Sequence, residues 1–335
     1  MDRNAAREPV SVFYNSHADE RLYAIIRERM KPGMRLLALA ADDEAERLAK
    51  LGEADAAIVA ATPLTARQLE VASRLRLVHH QGVGYQDTVP VDALRTRGIP
   101  LALTPQGTTQ SVAETAIMLM LAALRRLPFA DSELRLGRWH INSLRPVSRN
   151  LNSRVVGYVG MGRIGRATAA LARAFGATGL YSDPFVTLDP AEEERLGVAK
   201  AELGELLARA DIVTLHAPPG GGRQRLIDRE AIARMKAGAI IVNTARGSLI
   251  DEAALAEGLA SGKLGGAALD VFAQEPPPAS SPLLSMPNVV LTPHIAGGTR
   301  DAFEQKMDFI FANIDRFFSG QALEQQVDMS AGGAG

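Results

Sequence analysis

The chain has 335 residues, of which 47% are hydrophobic and 22% charged, with a formal net charge of −1 and no cysteine. That length exceeds one ordinary hydrophobic core and predicts two domains of a soluble α/β protein. The near-zero charge leaves no electrostatic footprint for nucleic acid or an anionic membrane, and the missing cysteine excludes disulfides, thiolate metal sites and a thiol nucleophile.

Residues 1–9 are polar, with no apolar signal region, and no run approaches a membrane span, so a cytoplasmic protein is expected. From Val10 short apolar runs alternate with amphipathic segments. Strands are predicted at Val10 to Tyr14, Met34 to Leu39, Ala56 to Ala60, Leu75 to His79 and Ile99 to Leu103, with helices such as His17 to Met30 and Thr65 to Ala72 between them. This βα repetition predicts a parallel sheet covered on both faces. His79 and His80 are adjacent and face opposite sides of a strand, so no metal pair is expected there.

Thr104-Pro105-Gln106-Gly107 interrupts the pattern and reads as a hinge. Ser111-Val112-Ala113-Glu114 then fits a capping box, opening a helix to about Leu127 that Pro128 would stop. Arg125 and Arg126 suit its C-terminal end. Its apolar residues run almost all round it, which predicts burial between domains or between subunits. The polar stretch from Gly137 to Asn152 carries the sole tryptophan, Trp139, and is expected to wrap over a surface. Helix and wrapping stretch together suggest a homodimer.

Val155-Val156-Gly157-Tyr158-Val159-Gly160-Met161-Gly162-Arg163-Ile164-Gly165 organises the rest. An apolar run enters three glycines spaced G-x-G-x-x-G, and an alanine-rich helical segment leaves them. Gly160 permits the tight turn, Gly162 admits a phosphate close to the backbone, and Gly165 lets the helix pack on the strand. The helix N-terminus offers unpaired N–H groups to a pyrophosphate. A second strand, Thr178 to Ser182, ends in Asp183, where an acidic residue accepts hydrogen bonds from an adenosine ribose. Alone, Asp183 could be read as the start of a turn with Pro184, but strand, turn, helix, strand and acid in this order point to dinucleotide binding. The acid run Glu192 to Glu194 reads as a solvated helix start.

Further strands are predicted at Ile212 to His216, Ala239 to Thr244, Ala267 to Val271 and Val289 to Thr292, each apolar throughout, as in a sheet covered on both faces. A last helix, about Thr299 to Phe318, is expected to return to the first domain. Arg246, Asp270, Glu275 and His294 sit where the later strands end, and in an open parallel sheet ligands bind beyond those ends. A guanidinium grips a carboxylate in two parallel hydrogen bonds, and an imidazole gives or takes a proton near neutral pH. A lone histidine after Pro293 would be read as a loop cap, and His140 as a surface residue. Together with Glu275 and Arg246, His294 reads as catalytic.

The segments Asn243 to Asp251, Ala268 to Pro276 and Thr292 to Thr299 closely resemble the D-isomer-specific 2-hydroxyacid dehydrogenase family. So do the glycine motif, Thr214-Leu215-His216-Ala217-Pro218 and the helix opening Val112-Ala113-Glu114. The resemblance covers nearly the whole chain from about Gly82. It implies that Arg246 binds the substrate carboxylate and carbonyl, that His294 is the proton donor and that Glu275 is its partner. It also places Asp270 at the nicotinamide carboxamide and backbone amides around Val83-Gly84 at the substrate carboxylate. Arg163 and Ile164 would lie against the pyrophosphate, His216 and Pro218 near the adenosine, and Thr244 and Ala245 among the cofactor contacts. The chain departs from the family pattern at Gln86, at Leu151-Asn152-Ser153-Arg154 and in the glycine-rich loop Pro218 to Gly222.

The resulting expectation is a discontinuous, flavodoxin-like substrate domain (1–104 and 299–335) and a Rossmann-type NAD-binding domain (105–298). The expected reaction is hydride transfer between NAD(H) and a small D-2-hydroxy or 2-keto acid, without a metal. Another small oxyanion such as phosphite is the alternative substrate. Formate is disfavoured, because Glu275 stands where formate enzymes usually carry glutamine. An NAD(H)-sensing regulator of the same fold is the alternative outside enzymes.

Overall fold

The computed structural model describes residues 8–60, 62–218 and 225–330. The chain divides into two compact units, Met1–Thr108 with Arg300–Gly335, and Thr109–Thr299. In the first unit β1 (Val10–Tyr14), α1 (Glu20–Arg29), β2 (Met34–Leu37), α2 (Glu44–Glu53), β3 (Ala56–Val59), α3 (Ala66–Val71), β4 (Leu77–His80), α4 (Val91–Thr96) and β5 (Leu101–Ala102) follow in βα order. The strands form a parallel sheet in the order β2-β1-β3-β4-β5, the flavodoxin-like doubly wound arrangement. Asp19, Asp43 and Thr65 each accept a backbone N–H at a helix start, and Thr65 with Gln68 closes a capping box.

The second unit begins with α5 (Thr108–Leu124), α6 (Leu127–Arg135) and the short α7 (Ile141–Leu144). It continues through β6 (Val155–Val159), α8 (Arg163–Ala174), β7 (Thr178–Ser182), α9 (Pro190–Leu196), β8 (Val198–Lys200), α10 (Leu203–Arg209) and β9 (Ile212–Leu215). Next come α11 (Arg229–Arg234), β10 (Ala239–Asn243), α12 (Glu252–Ala260), β11 (Leu264–Leu269) and β12 (Val289–Leu291). These strands form a parallel sheet ordered β12-β11-β10-β9-β6-β7-β8. Two apolar layers cover its faces, one around Leu206, Leu255 and Ile241, the other around Met120, Tyr158 and Ala172. Chain order reverses between β6 and β9, and the carboxyl ends of that pair mark the crevice where a doubly wound sheet binds its ligand.

The chain then returns to the first unit in α13 (Arg300–Phe318), which buries Phe303, Met307, Ile310 and Ile314 against the sheet layer of Val12, Ile58 and Leu77. The following tail pairs antiparallel with β5 at Ala102 and Gln326. His79 and His80 do face opposite sides. His79 is fully buried with Nε2 3.0 Å from Asn313 Nδ2 of α13, whereas His80 Nε2 lies 3.0 Å from Thr88 Oγ1.

Three local readings need correction. The Ser111–Glu114 capping box does not form, because α5 starts a turn earlier at Thr108. Gly107, at φ +71° and packed where any Cβ would lie 2.6 Å from the Ala302 carbonyl, turns the chain into the helix at that earlier point. Ser111 is therefore interior to α5, its hydroxyl 2.8 Å from that of Thr299. Pro128 does not stop α5. Arg126, at φ 54°, ends it, and Pro128 sits in the first turn of α6, where its missing N–H is harmless. Finally, β8 is absent from the strands expected above: three residues at the sheet edge leave almost no periodic signal.

Candidate active site

The glycine turn is shaped by close approach. A Cβ on Gly160, at φ +96°, would lie 2.7 Å from the carbonyl carbon of His216, so the β6 turn presses directly on the end of β9. A Cβ on Gly165 would lie 2.4 Å from the Gly160 carbonyl oxygen. Gly162 differs: it caps α8, and a Cβ there would meet nothing within 4 Å among the described residues. Exposed Arg163 and half-buried Ile164 begin the helix there. Asp183 crosses over from the end of β7. Its Oδ2 accepts from the Met161 amide at 2.7 Å, and its Oδ1 accepts from Phe185 and Val186 N–H at 2.9 and 3.0 Å. The aspartate thus starts a turn with Pro184 and also braces the glycine loop.

At the end of β9 the His216 ring stacks on Tyr158 with centroids 6.5 Å apart. Burial pushes its pKa down to about 4, so the imidazole is neutral. Nε2 lies 3.1 Å from Thr214 Oγ1, while buried Nδ1 has no hydrogen-bond partner among the described residues. The hydroxyl of Thr244, beyond β10, is a second such atom. Pro218 is exposed, and the rest of the glycine-rich loop, through Gly222, lies outside the described residues. A helix N-terminus without a side-chain cap, a glycine cradle and two buried polar atoms with no partner among the described residues fit a dinucleotide.

The ends of β10, β11 and β12, neighbours in the sheet, carry the remaining groups. Asn243 shapes the Arg246 turn, accepting from the Ala245 amide at 3.0 Å and donating to the Arg246 carbonyl at 2.8 Å. The Arg246 Nη1 donates to the Ala245 carbonyl at 2.9 Å. A Cβ on Gly247 would fall 1.9 Å from the Phe272 carbonyl carbon, so the Arg246 turn abuts the Phe272 turn with no room between. From that second turn the Phe272 amide donates to Glu275 Oε1 at 3.0 Å, and Glu275 Oε2 lies 2.7 Å from His294 Nδ1. With Nδ1 engaged, Nε2 is the nitrogen left to face a reacting atom. His294 and Glu275 are partly exposed, their side chains 49% and 36% accessible.

Asp270 is fully buried beneath them. Its Oδ1 accepts from Thr292 Oγ1 at 2.6 Å and from the Ile295 amide at 2.9 Å. Its Oδ2 accepts from the Ala296 amide at 2.8 Å. Its backbone carbonyl accepts from the His294 amide at 2.7 Å. Together these hydrogen bonds hold the loop in which His294 adopts a left-handed φ of 54°. Asn243, Gly247 and Thr292 escaped the sequence reading. An asparagine closing an apolar strand before Ala-Arg-Gly was the one available signal of a shaped turn. Val83 and Gly84 belong to the first unit, on the loop that follows β4.

Residues 117–296 match the family described as "D-isomer specific 2-hydroxyacid dehydrogenase, NAD binding domain". D-3-phosphoglycerate dehydrogenase of Mycobacterium bovis is 40% identical over 291 residues, 87% of this chain and 54% of that protein. The chain thus spans about half the length of the phosphoglycerate dehydrogenases it matches. Glyoxylate reductase of Korarchaeum cryptofilum is 38% identical over 261 residues, 77% of this chain and 78% of that protein. The crystal structure of TT0316 protein from Thermus thermophilus superposes with a TM-score of 0.83 at 33% identity, covering 95% of this chain and 99% of that one. With that family's model matched over 117–296, more than half of its length, this chain belongs to the D-isomer-specific 2-hydroxyacid dehydrogenase family.

Proposed function

We propose that this protein interconverts a small 2-keto acid and its D-2-hydroxy acid with NAD(H) as hydride carrier. The observation that carries the reading is the 2.7 Å Glu275–His294 pair at the end of β12, one strand from Glu275's own turn and two from that of Arg246. The dinucleotide is held by the Gly160–Gly165 turn, by Arg163 and Ile164 at the start of α8, by Asp183 at the ribose, and by His216, Pro218, Thr244 and Ala245 along the crevice. Bound NADH supplies the hydride.

Arg246 grips the carboxylate and polarises the carbonyl, stabilising charge that develops on its oxygen. His294 Nε2 gives that oxygen its proton, and Glu275 holds the ring in one orientation. Asp270 fixes the His294 loop. A carboxylate has about four acceptor positions, so one remains for the nicotinamide carboxamide. Amides around Val83-Gly84 hold the substrate carboxylate.

We further propose that the working form is a homodimer built on α5–α7. Met118, Leu127, Leu134, Leu136, Trp139, Ile141 and Val147 are large apolar residues left exposed in this one stretch. Several border a groove of about 810 Å³ that Glu114, Arg125 and Arg145 also line. Acid and base on one apolar patch suit a self-complementary two-fold contact. The test of the function is NADH oxidation with a panel of 2-keto acids, with phosphite and NAD as a separate arm. Turnover of a keto acid to the D-hydroxy product is expected, and NADH binding without any turnover would favour a sensor instead.

A further inference from the structure

His80 has no part in the chemistry above, yet it is a buried polar side chain, 6% exposed, at the last position of β4. The loop that leaves it, Gln81 to Val89, contains Gly82 and Gly84 and exposes Val83 to 44%. Two glycines in so short a stretch allow many conformations, and ordering them on ligand binding costs free energy. The structure ties both ends of the stretch instead. At the near end Thr104 donates its hydroxyl to the His80 carbonyl at 2.7 Å and its amide to the Gly82 carbonyl at 2.9 Å. At the far end the His80 ring reaches across the loop, Nε2 3.0 Å from Thr88 Oγ1. Thr88 is itself fixed, its amide donating to the Tyr85 carbonyl at 3.1 Å and its carbonyl accepting from the Leu64 amide at 2.9 Å. The ring also lies beneath Gly82, Cε1 3.4 Å from where a Cβ on that residue would stand.

We propose that His80, acting through Thr88, is a positioning residue that pre-shapes the Gly82–Val83–Gly84 loop for the substrate carboxylate. The assignment rests on the reading that this loop binds the carboxylate. The clamp removes loop freedom before binding, so the substrate does not bear the ordering cost. In this assignment His80 acts through Thr88 and the loop backbone, not by contact with substrate or cofactor.

Two measurements separate the clamp from its use. Amide hydrogen exchange across residues 82–88 of the free protein reads the clamp alone, compared in wild type, His80→Ala, Thr88→Val and His80→Gln. Exchange should quicken severalfold in His80→Ala and Thr88→Val, and return toward wild type in His80→Gln, since glutamine carries a donor and an acceptor near the Nε2 position. Steady-state kinetics should then show KM for the keto acid raised about five- to tenfold, the equivalent of one hydrogen bond, with kcat and NADH affinity nearly unchanged. The double variant His80→Ala/Thr88→Val should be no worse than either single one. Unchanged exchange, an unchanged keto-acid KM, or a parallel loss of NADH affinity would each overturn the proposal. Quickened exchange in the variants, with a wild-type protein that reduces no keto acid, would leave the clamp standing and sink the functional reading instead.

Discussion

The Oδ2 of Asp183 accepts a hydrogen bond from the amide of Met161 at 2.7 Å, joining the acid at the end of β7 to the middle of the glycine turn. A negative charge is thereby held against the mouth of the dinucleotide crevice, and no Lys or Arg stands in Pro184-Phe185-Val186-Thr187 to receive a 2′-phosphate. NADH should exceed NADPH in kcat/KM by at least about tenfold, or about 1.4 kcal/mol. Asp183→Ala should narrow the gap and also cost stability, because the amides of Met161, Phe185 and Val186 lose their acceptor. A wild-type preference for NADPH would contradict the assignment.

Asp270 should prove as structural as it is functional. Asp270→Asn replaces an oxygen that accepts from the Ile295 or Ala296 amide with an NH₂ group, setting donor against donor in a buried site. A loss of about 1–3 kcal/mol is expected in chemical denaturation, with kcat lowered as the His294 loop loosens. Thr292→Val removes one hydroxyl donor and should cost about 1 kcal/mol. If both variants matched wild type in stability, the loop would be held by something other than Asp270.

Burial sets a pH dependence of stability through two histidines. It pushes His79 from 6.5 down to about 3 and His216 from 6.5 down to about 4. The unfolded chain therefore binds protons that the folded chain refuses. Their contribution is complete above about pH 6.5 and drains away as pH falls toward 4, by up to about 1.4 kcal/mol per pH unit for each. Unfolding free energy measured from about pH 7.5 to 5.5, above the range of most carboxylates, should fall on acidification. His79→Gln, which cannot charge, should show a slope shallower by about half a proton on average over that range, approaching one proton near pH 5.5. An unaltered slope would remove His79 from this explanation.

Strand positions were the most legible part of this chain, and backbone-made contacts the least. The predicted strands Val10 to Tyr14 and Thr178 to Ser182 coincide with β1 and β7, because apolar and β-branched runs bounded by polar or turn residues have few other uses. Arg246, Glu275 and His294 each follow an apolar run within a few residues, and they stand beyond β10, β11 and β12 as expected. The bond from Asp183 to the Met161 amide was not readable, nor was the Gly247–Phe272 contact, since each joins backbone of one turn to another turn across the sheet. The start of α5 was misplaced for a related reason: Gly107's left-handed φ matters only once Ala302, far along the chain, is packed against it.

The α5–α7 surface predicts self-association. Light scattering at micromolar concentration should give a dimer of the 35.7 kDa chain. Met118→Asp with Ile141→Asp places charge on the apolar lining of the groove and should give a folded monomer. A wild-type monomer across that range would contradict the dimer.

The most direct test of the account is the paired behaviour of His294→Ala in keto-acid reduction and in NADH binding. With Nδ1 committed to Glu275, the imidazole's Nε2 is assigned the proton that reaches the carbonyl oxygen. Its removal should lower kcat by about 10²–10⁴-fold, while NADH affinity, read by fluorescence titration, stays close to wild type. Near-normal keto-acid reduction by His294→Ala would contradict the central claim.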